Sequence, residues 1–534
     1  MKNQIPHRLK QLPLLFVGFL AACTSLPQHF YPYQSYSLAF NRPEHTRLGR
    51  DFINATKHHD GLSGFSLLNN GLDGFVARSQ LIARAEASLD LQYFIFREDK
   101  SGMALTEQLL NAADRGVKIR ILVDDGNTQD GDEQLLTLAS HPNIQVRIFN
   151  PLYYRGHNEF VRLLEMTANK SELDYRMHNK LFIADNAAAL VGGRNIGDIY
   201  FQVDTEIQVA DDDVFAVGPM VKKLSQSFDE FWNSVHSVPA QTVAPELTTV
   251  DALDRFKLQL TVNLGNLEKQ KESFINQAQS SKVLTRLFTG TPDLAWAKAQ
   301  LVYDSPDKKD VEDDSLAGSL IYEPIKEAVK STRSELLVIT PYLIPGDEGM
   351  KLFQLLHGHN VSVRILTNSL ETTPELFAHA GYSRYRKPLL KLGVQLYELR
   401  AKLGKAVGSG ESQKMVRYGN YGLHAKQYVF DRQRVFLGSM NFDQRSMHLN
   451  TEVGLIIDSP ELAKQALERF ERLTDASNSY QVLLMDDSAS NSKSLVWWTK
   501  EDGKLTEYRS EPSKSRLQLI KEDLMSILPL DDEL

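Results

Sequence analysis

The chain has 534 residues, of which 42% are hydrophobic and 24% charged, with a formal net charge of −8. That size and composition give two or more packed domains with ample core. The acidic balance excludes the bulk positive surface by which most nucleic-acid binders hold their ligand, so no nucleic acid is expected as a partner.

The first predicted element is a leader. Lys2, Arg8 and Lys10 precede an apolar run, Leu12 to Ala22, that Pro13 interrupts and that is too short to span a bilayer comfortably. It ends in Leu20-Ala21-Ala22-Cys23, which resembles the lipobox of bacterial lipoproteins. Cys23 is the only cysteine, so no internal disulfide can form. Residues 1–22 are read as a lipoprotein signal peptide and Cys23 as a lipidation site whose acyl chains anchor the protein to a membrane. Thr24 stands where Asp would favour retention at the inner membrane. The expected location is the bacterial cell envelope, at the periplasmic face of the outer membrane. Residues 23–60, rich in Pro and Tyr, are read as a tether.

From residue 61 strand and helix patterns alternate. LDLQYFIF (89–96) and RGVKIRILVDD (115–125) read as strands around the helical run SGMALTEQLLNAADRG (101–116). The short strand HNKLFIAD (178–185) and the amphipathic run VKKLSQSFDEFW (221–232) follow. The same order then returns as LLVITPYLI (336–344), GDEGMKLFQLLHGHN (346–360), HNVSVRILTNS (359–369), HAKQYVFD (424–431) and ELAKQALERFERL (461–473). The fold class is therefore α/β, with two pseudo-symmetric domains at 61–236 and 314–475, each a mixed β-sheet flanked by helices. Residues 237–313 are read as a connector packed partly on the surface. Residues 476–534 are read as a C-terminal extension, an appended hairpin around VWWTKEDGKLTEYRSEP.

The repeat is closest around the two short strands. His178, Lys180 and Asp185 correspond to His424, Lys426 and Asp431, 246 residues later. Each aspartate is followed at the seventh position by a small pair, Gly192-Gly193 or Gly438-Ser439. Asn195 and Asn441 come next, then Glu206 and Glu452, in one ungapped register. One such pattern is weak, because a histidine and a lysine open many surface strands. Two copies inside matching repeats are not explained that way.

The residue types suit a phosphate diester. Positions i and i+2 of a strand share a face, so His178 projects with Lys180 and His424 with Lys426. Asp185 and Asp431 are at an odd offset and fall to the other face or the strand end, in a structural or orienting part. The glycine turn brings each asparagine back toward its histidine. Two facing copies offer two ammonium groups and two amides to the non-bridging oxygens, a cage for a developing phosphorane. One histidine can attack phosphorus while the other protonates the leaving oxygen. An attacking histidine is held through its other N–H, most often by a carboxylate, and Glu206 and Glu452 are the candidates. The cage itself neutralises the charge, so neither a metal nor another cofactor is expected.

The doubled H-x-K-x4-D-x6-G-[GS]-x-N pattern resembles the HKD signature of the phospholipase D superfamily, over about residues 60 to 475. The resemblance implies catalytic His178, Lys180, Asp185, His424, Lys426 and Asp431, phosphate-binding Asn195 and Asn441, and an active site at the interface of two phospholipase D-like domains. It also implies His178 as the phosphohistidine and His424 as the acid. The strings RMHNKLFIADNAAALVGGRNIGDIYF, LHAKQYVFDRQRVFLGSMNFDQRS and LNTEVGLIIDSPELA are similar to the bacterial cardiolipin synthase C-type branch. That branch implies phosphatidyl transfer to phosphatidylglycerol, with phosphatidylglycerol or phosphatidylethanolamine as donor. The same residues serve a hydrolytic phospholipase D releasing phosphatidic acid, and a phosphodiesterase or nuclease is the third reading. Finally, residues 384–405 carry seven basic residues and one acidic. By default this is a solvated face, and its functional reading is attraction to anionic headgroups.

Overall fold

The computed structural model describes residues 35–126, 132–151, 174–203, 207–265, 287–288, 293–310, 321–404, 420–487, 492–515 and 518–519. The leader, Cys23 and Glu206 lie outside the described residues.

One mixed sheet of 18 strands runs through both halves. Its spatial order in the first half is Ser237–Pro239, Ile144–Phe149, Lys118–Asp124, Ser88–Tyr93, Leu181–Ala184, Ala188–Gly192, Asp213–Val217 and Ser63–Leu68. The second half repeats this order as Ser479–Asp487, Gln395–Leu399, Ser362–Asn368, Glu335–Ile339, Gln427–Phe430, Arg434–Gly438, Val453–Asp458 and Ala295–Tyr303. In each half the second to fourth strands are parallel and the rest antiparallel. Residues 63–65 pair with 295–297 and join the halves edge to edge.

The two long helices Pro219–Trp232 and Pro460–Leu473 explain why the halves stay together. Each begins with proline, whose missing N–H is harmless in the first turn. Their apolar residues recur at helical spacing, and Leu224, Phe228, Trp232, Leu462, Phe470 and Leu473 are all buried. They share one core cluster with Ile183 and Val191 of the first half and Val429 and Leu437 of the second. At about 1.5–3 kcal/mol per large buried side chain, this common core is a strong tie. Two further clusters lie within the separate halves.

Three segments differ from their sequence reading. The connector contains two sheet strands, Ser237–Pro239 and Ala295–Tyr303. The latter is the counterpart of Ser63–Leu68, so the second half starts there and not at 314. Its Lys298 and Gln300 are exposed and interrupt the apolar run AWAKAQLVY. The tether holds a helix, Arg47–Thr56, capped by the Thr46 hydroxyl accepting from the Gly49 N–H, with Leu48 and Phe52 buried one turn apart. The C-terminal extension is a three-stranded meander, Ser479–Asp487, Ser492–Glu501 and Lys504–Tyr508, added to the sheet edge beside Gln395–Leu399.

Both motif hairpins turn at the aspartate. Asp185 and Asn186 have φ of 51° and 49°, and Asp431 and Arg432 have 51° and 57°. Asx residues tolerate this left-handed region; Arg432 occupies it as the second residue of the same turn. The Asp185 carboxylate accepts from the backbone N–H groups of Glu86 (3.0 Å), Ala87 (2.8 Å) and Ser88 (2.9 Å). Asp431 does the same for Arg333 (2.9 Å), Ser334 (2.6 Å) and Glu335 (3.1 Å). Each aspartate thus locks its hairpin to the start of the strand it pairs with antiparallel, Ser88–Tyr93 or Glu335–Ile339.

Candidate active site

Each histidine is placed by a strand of the opposite half. The His178 N–H donates to the Thr451 carbonyl (2.9 Å), and the Thr451 N–H to the Arg176 carbonyl (2.9 Å). In the pseudo-symmetric place, Tyr421–Leu423 pairs in parallel with Gln208–Ala210, and the His424 N–H donates to the Ala210 carbonyl (2.8 Å). A carboxylate follows at once on each partner strand. His178 Nδ1 lies 2.9 Å from both Glu452 Oε1 and Oε2. His424 Nδ1 lies 2.6 Å from Asp211 Oδ2. The carboxylates are crossed between the halves.

Asp211 was not among the sequence candidates, and it takes the place assigned to Glu206. The strand registers show why. Gly192 pairs with Asp213, and Gly438 pairs with Gly454. Two residues before those partners stand Asp211 and Glu452. The ungapped match therefore breaks after the short helices, which start in register at Asp198 and Gln444, and the first half carries five more residues before Asp211. The apolar strands DVFAV (213–217) and GLIID (454–458) give the correct register, because each carboxylate sits two residues ahead of them.

The small pair fits each carboxylate. A Cβ on Gly193 would lie 2.1 Å from Asp211 Oδ1, so no side chain fits beside the aspartate. Its counterpart Ser439 donates its hydroxyl to Glu452 Oε2, and Ser446 Oγ donates to Oε1 at 2.9 Å. The preceding glycines face backbone: a Cβ on Gly192 would meet the Asp212 carbonyl at 2.4 Å, and one on Gly438 the Val453 carbonyl at 2.5 Å.

Lys180 and Lys426 are both 1% exposed and lie beside their histidines. Lys180 Nζ donates to the His178 carbonyl, and Lys426 Nζ to the His424 carbonyl at 2.6 Å. The Phe94 ring meets His178 edge-on at 5.0 Å and lies 5.3 Å from the Lys180 ammonium. Tyr200 meets His424 edge-on at 5.2 Å. Two buried lysines share the site with two buried carboxylates, so their formal charges are equal and opposite.

This burial sets the proton affinities. Burial, then Lys180 and Lys426, hold His178 well below the usual imidazole range. Burial and Lys426 bring His424 to about 4, against Asp211. Burial lowers Lys180 well below an ordinary lysine, and Lys426 to about 8. Burial pushes Glu452 up to about 8, opposed by Lys180 and by the hydroxyls of Ser439 and Ser446. Burial acts on Asp211 in the same direction, but His424 and Lys426 outweigh it and hold the carboxyl at about 2. Both imidazoles are neutral at neutral pH, the state in which a histidine has a free lone pair.

The asparagines differ. Asn195 Oδ1 accepts from the Ile95 N–H (3.1 Å), and its Nδ2 donates to Tyr200 Oη (3.2 Å). Asn441 is buried, and its Oδ1 has no hydrogen-bond partner. Among the described residues, no group of three His, Cys, Asp or Glu side chains is placed to hold a metal ion. The basic run 384–405 is only partly a solvated face. Arg386 is buried between Glu398 (2.9 Å) and Glu511, and Arg400 pairs with Glu501 at 2.6 Å. Lys387, Lys391 and Lys402 are exposed.

A family model described as "Cardiolipin synthase, PLD-like domain" matches residues 79–232 and 325–474. The chain is 36% identical to cardiolipin synthase C of Escherichia coli over 489 residues, covering 91% of this chain and 99% of that protein. It is 31% identical over 522 residues to an uncharacterized protein of Helicobacter pylori, covering 96% and 97%. Among solved structures, phosphatidylserine synthase of Haemophilus influenzae superposes with a TM-score of 0.52 at 11% sequence identity, covering 81% of this chain and 92% of that one. The last match is a likeness of fold.

Proposed function

Because the chain belongs to the cardiolipin synthase, phospholipase D-like family, whose members set the reaction class as phosphatidyl transfer, we propose that it makes cardiolipin through a phosphatidyl-histidine on His178. The observation that carries this reading is the crossed pair of carboxylate-held imidazoles on either side of two buried lysines.

Glu452 accepts the Nδ1 proton of His178 and leaves the Nε2 lone pair free. Nε2 attacks the phosphorus of a donor phospholipid, phosphatidylglycerol or phosphatidylethanolamine. The P–N bond forms and the P–O bond to the headgroup breaks. His424 gives its Nε2 proton to the departing oxygen, while Asp211 stabilises the imidazolium that supplies it. The negative phosphodiester opposes the lysine field that depresses His424, so substrate binding raises its proton affinity. In the second half-reaction His424 takes the proton of a glycerol hydroxyl of phosphatidylglycerol. That oxygen attacks phosphorus and the P–N bond breaks, giving cardiolipin and free His178. Lys180, Lys426 and Asn441 donate to the non-bridging oxygens throughout. Asn195 joins them through Nδ2 once its bond to Tyr200 yields, while Oδ1 stays on the Ile95 N–H.

Lipidated Cys23 confines the enzyme to the periplasmic face of the outer membrane. Among the described residues, no helix is long and apolar enough to cross a membrane. The exposed Lys387, Lys391 and Lys402 add attraction to anionic headgroups.

The test is to incubate the protein with phosphatidylglycerol and phosphatidylethanolamine and separate the lipid products. Cardiolipin is expected. Phosphatidic acid as sole product would make water the acceptor and the enzyme a hydrolytic phospholipase D.

A further inference from the structure

Each half buries a cation that bonds to the loop carrying its carboxylate, and these two cations are attached at different points of the repeat. In the first half the cation is Arg194, with its side chain 1% exposed. It donates from Nε to the Tyr200 carbonyl (3.3 Å), from Nη1 to the Leu68 carbonyl (2.7 Å) and from Nη2 to the Asp211 carbonyl. In the second half it is Lys308, 3% exposed. Its Nζ donates to Asp304 Oδ2 (3.0 Å) and to the carbonyls of Ser446 (3.0 Å) and Asn450 (2.7 Å).

Strand register relates the two arrangements. Tyr200 and Ser446 each lie eight residues after Gly192 or Gly438, so Arg194 and Lys308 donate to equivalent carbonyls. Leu68 pairs with Asp213 and Val302 with Gly454, which makes Asn70 the counterpart of Asp304. Four residues further on, the first half has Gly74 where the second has Lys308. A Cβ on Gly74 would lie 3.2 Å from Arg194 Cδ, so the arginine fills the space that glycine leaves. Arg194 in turn has Met440 as its counterpart. The first half pairs Gly74 with Arg194, and the second pairs Lys308 with Met440. The cation changes its point of attachment and keeps its target.

We propose that Lys308 and Arg194 are positioning residues for the reaction, Lys308 acting through Glu452 on His178 and Arg194 through Asp211 on His424. This rests on the reading of those two histidines as the reacting groups. Three Nζ protons of Lys308 meet three protein acceptors, which leaves it none for a ligand and rules it out as a phosphate contact. What it holds is the loop from Ser446 to Glu452. Ser446 Oγ donates to Glu452, and Asp304 Oδ2, itself paired with Lys308, accepts from the Glu452 N–H at 3.0 Å. The ammonium also places positive charge behind a buried carboxylate, which favours the ionised form that accepts from His178 Nδ1.

The experiment compares Lys308→Met, Lys308→Arg, Arg194→Met and the double replacement Gly74→Lys with Arg194→Met, each checked for folding by its thermal melt. Turnover, KM and the pH dependence of phosphatidyl-histidine formation are measured. Lys308→Met is expected to lower kcat about tenfold or more while KM moves less than about twofold, and to shift the acid limb of the profile to higher pH. Lys308→Arg should restore the limb. The double replacement, which rebuilds the second-half arrangement in the first half, should recover activity that Arg194→Met loses. A folded Lys308→Met protein with wild-type kcat and an unmoved acid limb overturns the proposal, as does a folded double replacement no better than Arg194→Met. His178→Ala separates the two layers. If it keeps transferase activity, the underlying mechanism fails; if it is dead while Lys308→Met is unaffected, only the positioning role fails.

Discussion

His178 and Glu452 are 274 residues apart in the chain and 2.9 Å apart in space, one in each half. Their counterparts His424 and Asp211 cross in the opposite direction at 2.6 Å. Neither half alone holds both members of either of these two crossed pairs. The proposed active site therefore exists only when the two halves are docked, and the buried core they share is what docks them.

Removing either carboxylate leaves its imidazole free to take the wrong tautomer. Glu452→Gln and Asp211→Asn are each expected to lower kcat by about 10²–10⁴-fold with little change in KM, by analogy with other carboxylate-held catalytic histidines. Glu206→Gln, at the position the ungapped register favoured, is expected to stay within about twofold of wild type, well below a kcal/mol of barrier. Steady-state transfer assays on the three variants check this. A large loss in Glu206→Gln with none in Asp211→Asn would reverse the assignment.

The profile of kcat/KM against pH should be bell-shaped and centred on the slightly alkaline side. On the acid limb, activity rises as the Glu452 carboxyl, pushed up to about 8 by burial, loses its proton. On the alkaline limb, activity falls as Lys426, lowered to about 8 by burial, loses its charge. Bound phosphodiester stabilises the ammonium, so the alkaline limb of kcat should lie above that of kcat/KM. These limbs belong to a coupled cluster and report it as a whole.

The motif aspartates should act on stability before chemistry. Asp185 is fully buried and satisfies three backbone N–H groups, so Asp185→Ala is expected to cost about 2–4 kcal/mol. Asp431 caps a more exposed turn, and Asp431→Ala should cost less. Burial would raise the Asp431 carboxyl, but the Ser334 hydroxyl and the backbone donors hold it below the ordinary aspartate range. A depressed carboxyl stabilises the fold above its unfolded value and loses that contribution as pH falls through the folded one. Thermal melts of both variants against pH measure this.

Cys23→Ser should release the protein from washed membranes at high salt. High salt screens the lysine contribution and leaves the proposed acyl anchor as the remaining tie. A variant still bound under those conditions would place the anchor elsewhere.

Much of this molecule is legible in its sequence, because a strand repeats with period two and a helix with period 3.6 wherever one face is buried. The doubled His, Lys, Asp and Asn pattern carries the site for the same reason: each set is local, within one hairpin and its following turn. What escaped is non-local. Asp211 was hidden by five extra residues in one copy, and nothing in ADDDV says which of three aspartates faces a histidine from the other half. Ala295–Tyr303 was hidden by outward lysine and glutamine on a strand at the join between halves. Arg386 and Arg400 looked like surface charge, but Glu398 meets Arg386 from the strand Gln395–Leu399 of the same run, and the C-terminal extension brings Glu511 to Arg386 and Glu501 to Arg400. Lys308 sits in a charged run and is recognisable only against Gly74.

The most direct test is to trap the intermediate. Donor phospholipid labelled in its acyl chains is mixed with wild-type, His178→Ala and His424→Ala protein, quenched rapidly by denaturation, and the protein digested to locate the label. The account predicts label on the peptide containing His178 in wild-type protein and in His424→Ala, and none in His178→Ala. Label on the peptide containing His424, surviving in His178→Ala, would contradict it.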